Sequence, residues 1–480
     1  MTARGAQLAD ATHLLEQLVD DPRYVGQLRH VEHVSARVGH TTSWPSWVAP
    51  LLVDRLALEG ILAPWQHQAR AATLAHDGTH VVIATGTASG KSLGYLLPAV
   101  TDIVEAPRTT ALYLAPTKAL AVDQLRAVRG LRIAQLRAAT YDGDTPSDER
   151  EWVRSHANFV LTNPDMLHHS LLPGHARWAS FLRALRYVVI DECHGYRGVF
   201  GSHVAHVIRR LRRLCAHYGA SPTFVLASAT VSAAEHSAAQ LVGVPVVAVD
   251  TDTARRGALD FALWEPPLTD PDAGVRRSAN AETAWLLTEL AIGGVRSLAF
   301  VRSRRGAEGV AQQARRALGE VAPELSRRVA AYRAGYLPEE RRELERALRA
   351  GDLLAVAATN ALELGVDISG LDAVVITGFP GTVASMWQQA GRAGRGGAPA
   401  LAVFVARDDP LDSYLVHHPD ALFGRPVEAT VLDPDNPYVL GPHLCAAAAE
   451  LPLAEPGDIE LFGPTTPDLL ADLVRRGLLR

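Results

Sequence analysis

The chain has 480 residues, 48% hydrophobic and 21% charged, which excludes a disordered polymer and gives room for two or three ordinary domains. A formal net charge of −5 offers no bulk basicity, and three cysteines (Cys193, Cys215, Cys445) without CxxC spacing support neither a disulfide framework nor a zinc site. No apolar run approaches the ~20 residues of a bilayer span and Met1 is not followed by a basic-then-apolar leader, so a soluble, cytoplasmic protein is expected.

Residues 1–55 are expected to form a helical N-terminal extension, with Leu14, Leu15, Leu18 and Val19 at helical spacing. From 56 to 255, short β-rich runs alternate with longer helical patterns: Val81–Thr85, Thr110–Ala115, Phe159–Thr162, Tyr187–Ile190 and Thr223–Leu226. This alternation predicts a parallel sheet with crossover helices, and near-continuous apolar strands such as YVVI fit a sheet covered on both faces. The Pro/Asp-rich WEPPLTDPD (Trp264–Asp272) breaks the rhythm and reads as part of an interdomain linker over 256–280. A second alternating set follows over 281–425: Ser297–Val301, Leu354–Ala358, Ala373–Ile376 and Ala400–Val405. Two tandem α/β units are the expectation. In 426–480 prolines thicken and one amphipathic helix, Thr466–Leu479, precedes Arg480; the region reads as the start of a further small domain.

Strand Val81–Thr85 runs into Gly86-Thr87-Ala88-Ser89-Gly90-Lys91-Ser92 and then an apolar helix. Glycines let backbone N–H groups curl around phosphate oxygens at a helix N-terminus. Lys91 is placed to reach the β/γ-phosphates and Ser92 to ligate Mg²⁺. The strict pattern wants glycine where Thr85 stands. Asp191 and Glu192 end the strand YVVI and project from its carboxyl edge, Asp191 as a Mg²⁺ ligand and Glu192 as the base that deprotonates the attacking water. Ser228-Ala-Thr230 ends another strand, and its position after the first two motifs suits a link between nucleotide state and domain closure. Gln68 in WQHQA is a candidate reader of an adenine edge. Gln388-Gln-Ala-Gly-Arg392-Ala-Gly-Arg395 places two arginines three apart, on one helical face, as candidate fingers toward a bound phosphate. Arg209, Arg210, Arg212 and Arg213 read as a solvated helix face.

PTKAL (Pro116–Leu120), TNPDML (Thr162–Leu167), DECH, SAT, FVRSRR (Phe300–Arg305), ATNALELGVDI (Ala358–Ile368) and QQAGRAGR resemble the ordered motif set of superfamily-two DEAD/DEAH-box helicases. That resemblance spans roughly residues 60–425 and implies two RecA-like domains with ATP between them, over 56–255 and 281–425. It adds Gly365 and Asp367 to the nucleotide site and Gln388 to the coupling residues. It also implies a nucleic-acid track through Thr117, Lys118, Thr162, Asn163, Arg302, Ser303, Arg304 and Thr359, whose small hydroxyls and backbone amides suit a sequence-blind grip. Cys193 stands where these proteins have alanine and Gln388 where many have histidine; neither removes a charge the mechanism needs.

HGYRGVFGSHVAHVIRRLRRL after DECH, YRAGYLPEERRELE (Tyr332–Glu345) and NPYVLGPHLCAAAAELPL (Asn436–Leu453) are similar to the YprA/MrfA-type DNA repair helicases, relatives of the Hrq-type fungal enzymes. This implies ATP- and Mg²⁺-dependent translocation on single-stranded DNA, 3′→5′ unwinding of tailed duplexes, a nucleoid-associated location and a winged-helix-like region beginning within 426–480. The residues themselves leave RNA open as the nucleic acid, and a nucleic-acid-stimulated ATPase clamp that does not unwind is the remaining alternative.

Overall fold

The computed structural model describes Leu15 and residues 26–270, 272–333, 335–363, 371–394, 397–424, 427–454 and 456–480. Leu14, Leu18, Val19, Gly365, Asp367 and Arg395 lie outside the described residues. The chain divides into two compact units, one of His40–Thr253 with Ala429–Arg480 (the first unit) and one of Met1–Gly39 with Ala254–Glu428 (the second).

In chain order the strands begin with β1 (Leu28–Val34), which belongs to the second unit. The first unit contains β2 (Val81–Ala84), β3 (Thr110–Leu114), β4 (Ala138–Thr140), β5 (Phe159–Thr162), β6 (Leu185–Ile190), β7 (Thr223–Ser228) and β8 (Val247–Val249). They form one sheet in the order β4-β5-β3-β6-β7-β2-β8, every neighbouring pair parallel. Helix α1 (Gln66–His76) leads into β2, and crossovers include α2 (Ser92–Glu105), α3 (Lys118–Gly130), α4 (Gly198–His217) and α5 (Ala234–Val242). The period of two along each strand sends side chains to opposite faces. Tyr187 and Val189 pack with Tyr113 and Ile83 in one core, while Val188 and Ile190 pack with Leu114 and Val82 in the other. At about 1.5–3 kcal/mol for each large apolar side chain buried, two full cores anchor the carboxyl edge where the motifs emerge.

The second unit holds β9 (Leu259–Trp264), the hairpin β10 (Leu268–Asp270) and β11 (Val275–Arg276), and β12 (Ser297–Val301), β13 (Val329–Tyr332), β14 (Ala355–Ala358), β15 (Ala373–Thr377) and β16 (Ala400–Val405). Its main sheet runs β1-β9-β16-β15-β12-β14-β13 and is parallel except for β1, which pairs antiparallel with β9. Two of its helices, α6 (Arg304–Val321) and α7 (Val383–Ala390), follow β12 and β15.

Three expectations need correction. The stretch 1–55 is not a helical extension throughout: β1 completes the second sheet, Leu28 opposite Trp264 and Val34 opposite Leu259. Its sequence, LRHVEHV, hides the strand because an edge carries polar side chains, here paired as Arg29–Glu265 and His33–Asp260, each at 2.5 Å. The 256–280 linker is not one either. Strand β9 lies inside it, buried except for Asp260, and WEPPLTDPD turns into the β10–β11 hairpin. The chain passes between units at Gly39/His40, Thr253/Ala254 and Glu428/Ala429.

The third concerns the arginines of α4, against which the expected small C-terminal region folds. Helices α8 (Pro437–Glu450), α9 (Gly457–Phe462) and α10 (Thr466–Arg475) share a small core of Leu440, Leu444, Ala447, Phe462 and Leu473. They pack on α4 of the first unit. The four arginines of α4 are not a solvated face. Arg210, 1% exposed, makes a two-pronged ion pair with Glu450, and Arg213 pairs with Asp458 at 2.6 Å. Arg209 and Arg212 donate to the last carbonyls of α5, from Gln240 to Gly243, groups a helix end leaves without intrahelical partners. The helical periodicity was legible; the acceptors lie 30 to 245 residues away in sequence.

Candidate active site

The phosphate-loop residues leave β2, DECH leaves β6 and SAT leaves β7, and β6, β7 and β2 are neighbours in one sheet. Ser228 sits opposite Ala84, and Leu226 opposite Ile190. Parallel pairing therefore brings all three motifs to one carboxyl edge, the side where open α/β sheets bind ligands.

The loop is tightly braced. Thr85, in the place of the expected glycine, is fully buried and its hydroxyl meets the Ser89 hydroxyl at 2.7 Å, closing the loop across its base. Gly90 has φ +75°, and a Cβ there would lie 2.4 Å from Gln68 Nε2. Lys91 donates to the carbonyls of Thr85 (3.2 Å) and Gly86 (3.0 Å). Ser92 begins α2. Gln68, 3% exposed, has its carboxamide engaged by protein: Nε2 donates to Gly90 O (2.8 Å) and Ser89 O (3.3 Å), and Oε1 accepts from Trp65 N (2.8 Å). Its observed task is holding the loop, which differs from the adenine-edge reading. Thr87 and Ala88 form the turn at the loop's crest, Ala88 at φ +61°.

Asp191 is 8% exposed; Oδ2 accepts from the Tyr113 hydroxyl and Oδ1 from Glu192 N at 2.9 Å. Burial and the neighbouring Glu192 charge raise its pKa to about 6, opposed by Tyr113 and Lys91. Glu192 adopts φ +48°, a left-handed conformation that costs a non-glycine residue about 1–3 kcal/mol and is found at functional sites. His194 Nδ1 accepts from Ala229 N of SAT at 3.2 Å, and the same nitrogen lies 3.5 Å from the Glu192 carboxylate. Ser228 is buried beside Cys193, whereas Thr230 is exposed. Burial pushes the Cys193 thiol up to about 12, so it adds no charge next to Asp191.

In the first unit's proposed nucleic-acid residues, Thr117 and Asn163 are N-caps, their oxygens accepting from Leu120 N (3.2 Å) and Met166 N (2.8 Å). Lys118 is half exposed and pairs with Asp144 at 2.8 Å. Thr162 departs from the expectation: it is 2% exposed and its hydroxyl donates to Tyr141 O at 2.6 Å, fixing the loop after β5 instead of facing outward.

In the second unit Arg302, Ser303 and Arg304 follow β12 and Thr359 follows the adjacent β14. Ser303 caps α6 by accepting from Gly306 N at 3.0 Å, Arg302 donates to Phe379 O at 2.8 Å, and Arg304 is exposed. Thr359 is buried. Gln388 is buried on α7. Arg392 is not on a helical face: α7 ends at Ala390, and the turn through Gly391 carries Gly394 (φ +78°) back to Leu371 O at 3.0 Å. The Arg392 guanidinium is buried and donates to the Glu363 carbonyl, while the Glu363 carboxylate accepts from Ser385 (2.5 Å) and Gln389 (2.8 Å).

Sequence reasoning missed Tyr113, Glu363, His67, Asp252 and Thr253. His67, beside Gln68 in WQHQA, and Glu363, within ATNALELGVDI, carried a local signal; the others acquire partners through folding.

Among the described residues no helix is long and apolar enough to cross a membrane. The sheet orders, the three motifs on one edge and the second unit's matching strand ends define a DEAD/DEAH-box helicase core. The DEAD/DEAH box helicase model matches residues 65–238, the helicase conserved C-terminal domain 283–397, and the winged helix domain of ATP-dependent helicase HRQ1 432–480. The chain thus carries the two domains of the superfamily-two DEAD/DEAH-box helicases and is similar to those of the YprA/MrfA and Hrq1 type. It is 41% identical to the ATP-dependent helicase YprA of Bacillus subtilis over 97% of this chain and 62% of YprA. It is 38% identical to ATP-dependent helicase HRQ1 of Saccharomyces cerevisiae over 94% of this chain and 43% of HRQ1. The crystal structure of DUF1998 helicase MrfA bound to DNA matches with TM-score 0.91 at 40% identity, covering 97% of this chain and 62% of that one. A second MrfA structure, bound to DNA and AMPPNP, matches with TM-score 0.86 at 41% identity over 92% and 61%. The chain thus spans less than two thirds of the relatives it matches.

Proposed function

We propose that this chain is the motor of an ATP-dependent DNA helicase that tracks single-stranded DNA 3′→5′, unwinds tailed duplex and serves DNA repair on the nucleoid in the cytoplasm. The observation that carries this reading is the convergence of the phosphate loop, DECH and SAT on three adjacent strand ends. The backbone amides of 86–90 and Lys91 would bind ATP phosphates, Glu192 would take the proton of the attacking water, and His194 is placed to relay its state to SAT. Ser92 and Asp191 are hard oxygen donors that fit Mg²⁺, and a buried Asp191 with a raised pKa suits a cationic neighbour; when bound, the ion supplies positive charge to the phosphates. Arg392 and Arg395 act as fingers on the transferred phosphate, and Gly365 and Asp367 complete the nucleotide site. Thr117, Lys118, Asn163, Arg302, Ser303 and Arg304 grip DNA phosphates; a capping hydroxyl that accepts a backbone N–H keeps its own O–H to donate.

The test is ATP turnover with single-stranded DNA, RNA or neither, followed by strand displacement on a tailed duplex. Turnover stimulated by DNA, with displacement requiring a 3′ tail, is the expected result. Glu192→Gln should abolish turnover and keep ATP binding. Stimulation by RNA alone would refute the DNA assignment, and a glutamine variant at near-parent rate would refute the base.

A further inference from the structure

The last two residues of the first unit before the chain passes to the second, Asp252 and Thr253, are tied directly to the phosphate loop. The Asp252 carboxylate accepts from Gly86 N at 3.3 Å. Thr253 engages His67 three times: its N–H donates to His67 Nδ1 (3.2 Å), its hydroxyl lies 2.8 Å from the same nitrogen, and His67 N donates back to that hydroxyl (3.1 Å). Because Nδ1 receives a backbone N–H, it is the acceptor nitrogen, and the ring proton sits on Nε2. Nε2 then donates to Ser89 O at 3.2 Å. His67 and Ser89 are each 2% exposed, so this arrangement is dry and geometrically narrow. Thr253 O also accepts from His40 N (2.9 Å), and His40 O from Gln66 N (3.0 Å), so both chain crossings at this point, Gly39/His40 and Thr253/Ala254, meet the His67 helix.

We infer that Ser89, His67 and Thr253 form a relay by which the state of the phosphate loop reaches the peptide where the chain leaves the first unit, with Asp252 holding the loop's other end. His67 and Thr253 are positioning residues: neither need touch ATP. Movement of the Ser89 carbonyl turns the His67 ring, which on its far side meets the N–H and hydroxyl of Thr253. A loop coupled this way reports nucleotide occupancy through the His67 ring to the backbone at Thr253.

This inference rests on the proposed DNA-stimulated ATP turnover, and the experiment separates the two. The parent chain, Thr253→Val, Thr253→Ser and His67→Gln are compared for melting temperature, KM for ATP and the ratio of kcat with single-stranded DNA to kcat without. Thr253→Val, which keeps shape but loses the hydroxyl, should lower that ratio by on the order of fivefold, the size of a modest coupling between sites. Its KM should stay within about twofold of the parent and its melting temperature within about 2 °C, an outcome that mere loss of structure does not give. Thr253→Ser restores the hydroxyl and should restore the ratio. His67→Gln retains one donor toward Ser89 but cannot also reach Thr253, and should fall with the valine variant. A stimulated parent beside an equally stimulated Thr253→Val overturns the relay alone; a parent with no DNA-stimulated turnover overturns the functional reading and the relay together.

Discussion

Removing the Glu450 carboxylate (Glu450→Ala) should free the C-terminal helices from α4. Arg210 and Glu450 are 1% and 3% exposed, joined by two hydrogen bonds, and the remaining Arg210 donor is taken by ring nitrogens of His168 (2.7 Å) and His443 (3.3 Å). Those rings accept without offering negative charge, so the variant would leave a guanidinium buried and uncompensated. Deleting one partner of such a pair costs about 3–5 kcal/mol. If the segment unfolds together with its unit, this corresponds to a fall in melting temperature of about 6–20 °C for a domain of this size. If it detaches first, the open population rises by about two to three and a half orders of magnitude, and limited proteolysis within residues 451–480 should accelerate accordingly. The paired replacement Arg210→Met with Glu450→Met removes both charges and should recover most of the loss. Proteolysis of Glu450→Ala within about tenfold of the parent, or a double variant as weak as the single one, would refute the reasoning.

The same interface should sense acid. Burial, with nearby Arg210 and neighbouring rings, lowers His443 to about 2, and burial with Arg209 lowers His206 to about 4, both from 6.5. The unfolded chain binds these protons first, so stability is fully present above pH 6.5 and falls as pH drops from there toward 4; urea melts across that window should show it, and His443→Gln should flatten the slope. Gly90→Ala combines a positive φ with a 2.4 Å approach to Gln68, so ATP affinity should fall while the fold persists, read by nucleotide titration and circular dichroism. For the nucleic-acid track, Arg302→Ala and Lys118→Ala should each weaken DNA binding equally for all base sequences and shallow the salt slope by about one unit, measured by anisotropy from low to high salt; strong base preference would contradict a phosphate grip.

Strands with continuous apolar character, such as YVVI and VVIA, were legible because a sheet covered on both faces demands that composition. The motifs at their ends were legible for a different reason, since local spacing defines a phosphate loop. What sequence hid was long-range. β1 looks polar because it is an edge, and β9 was masked by the prolines that follow it. The arginines of α4 look like surface until Glu450 and Asp458 arrive from more than 200 residues away. Gln68 and Thr162 illustrate a further limit: a side chain's type shows what it can bond, whereas its burial decides which bond it makes.

The antiparallel pairing of β1 with β9 sets a timetable for synthesis. Leu28 leaves the ribosome 236 positions ahead of its partner Trp264, roughly 10–50 s at about 5–20 residues per second. Within that interval the strands of the first unit's sheet, Val81 to Val249, are synthesised in turn, while the second unit's leading edge has nothing to pair with. The nascent chain therefore carries an orphaned strand ahead of a sheet still being made, and its arginine, histidine and glutamate side chains keep that strand soluble until its mate emerges.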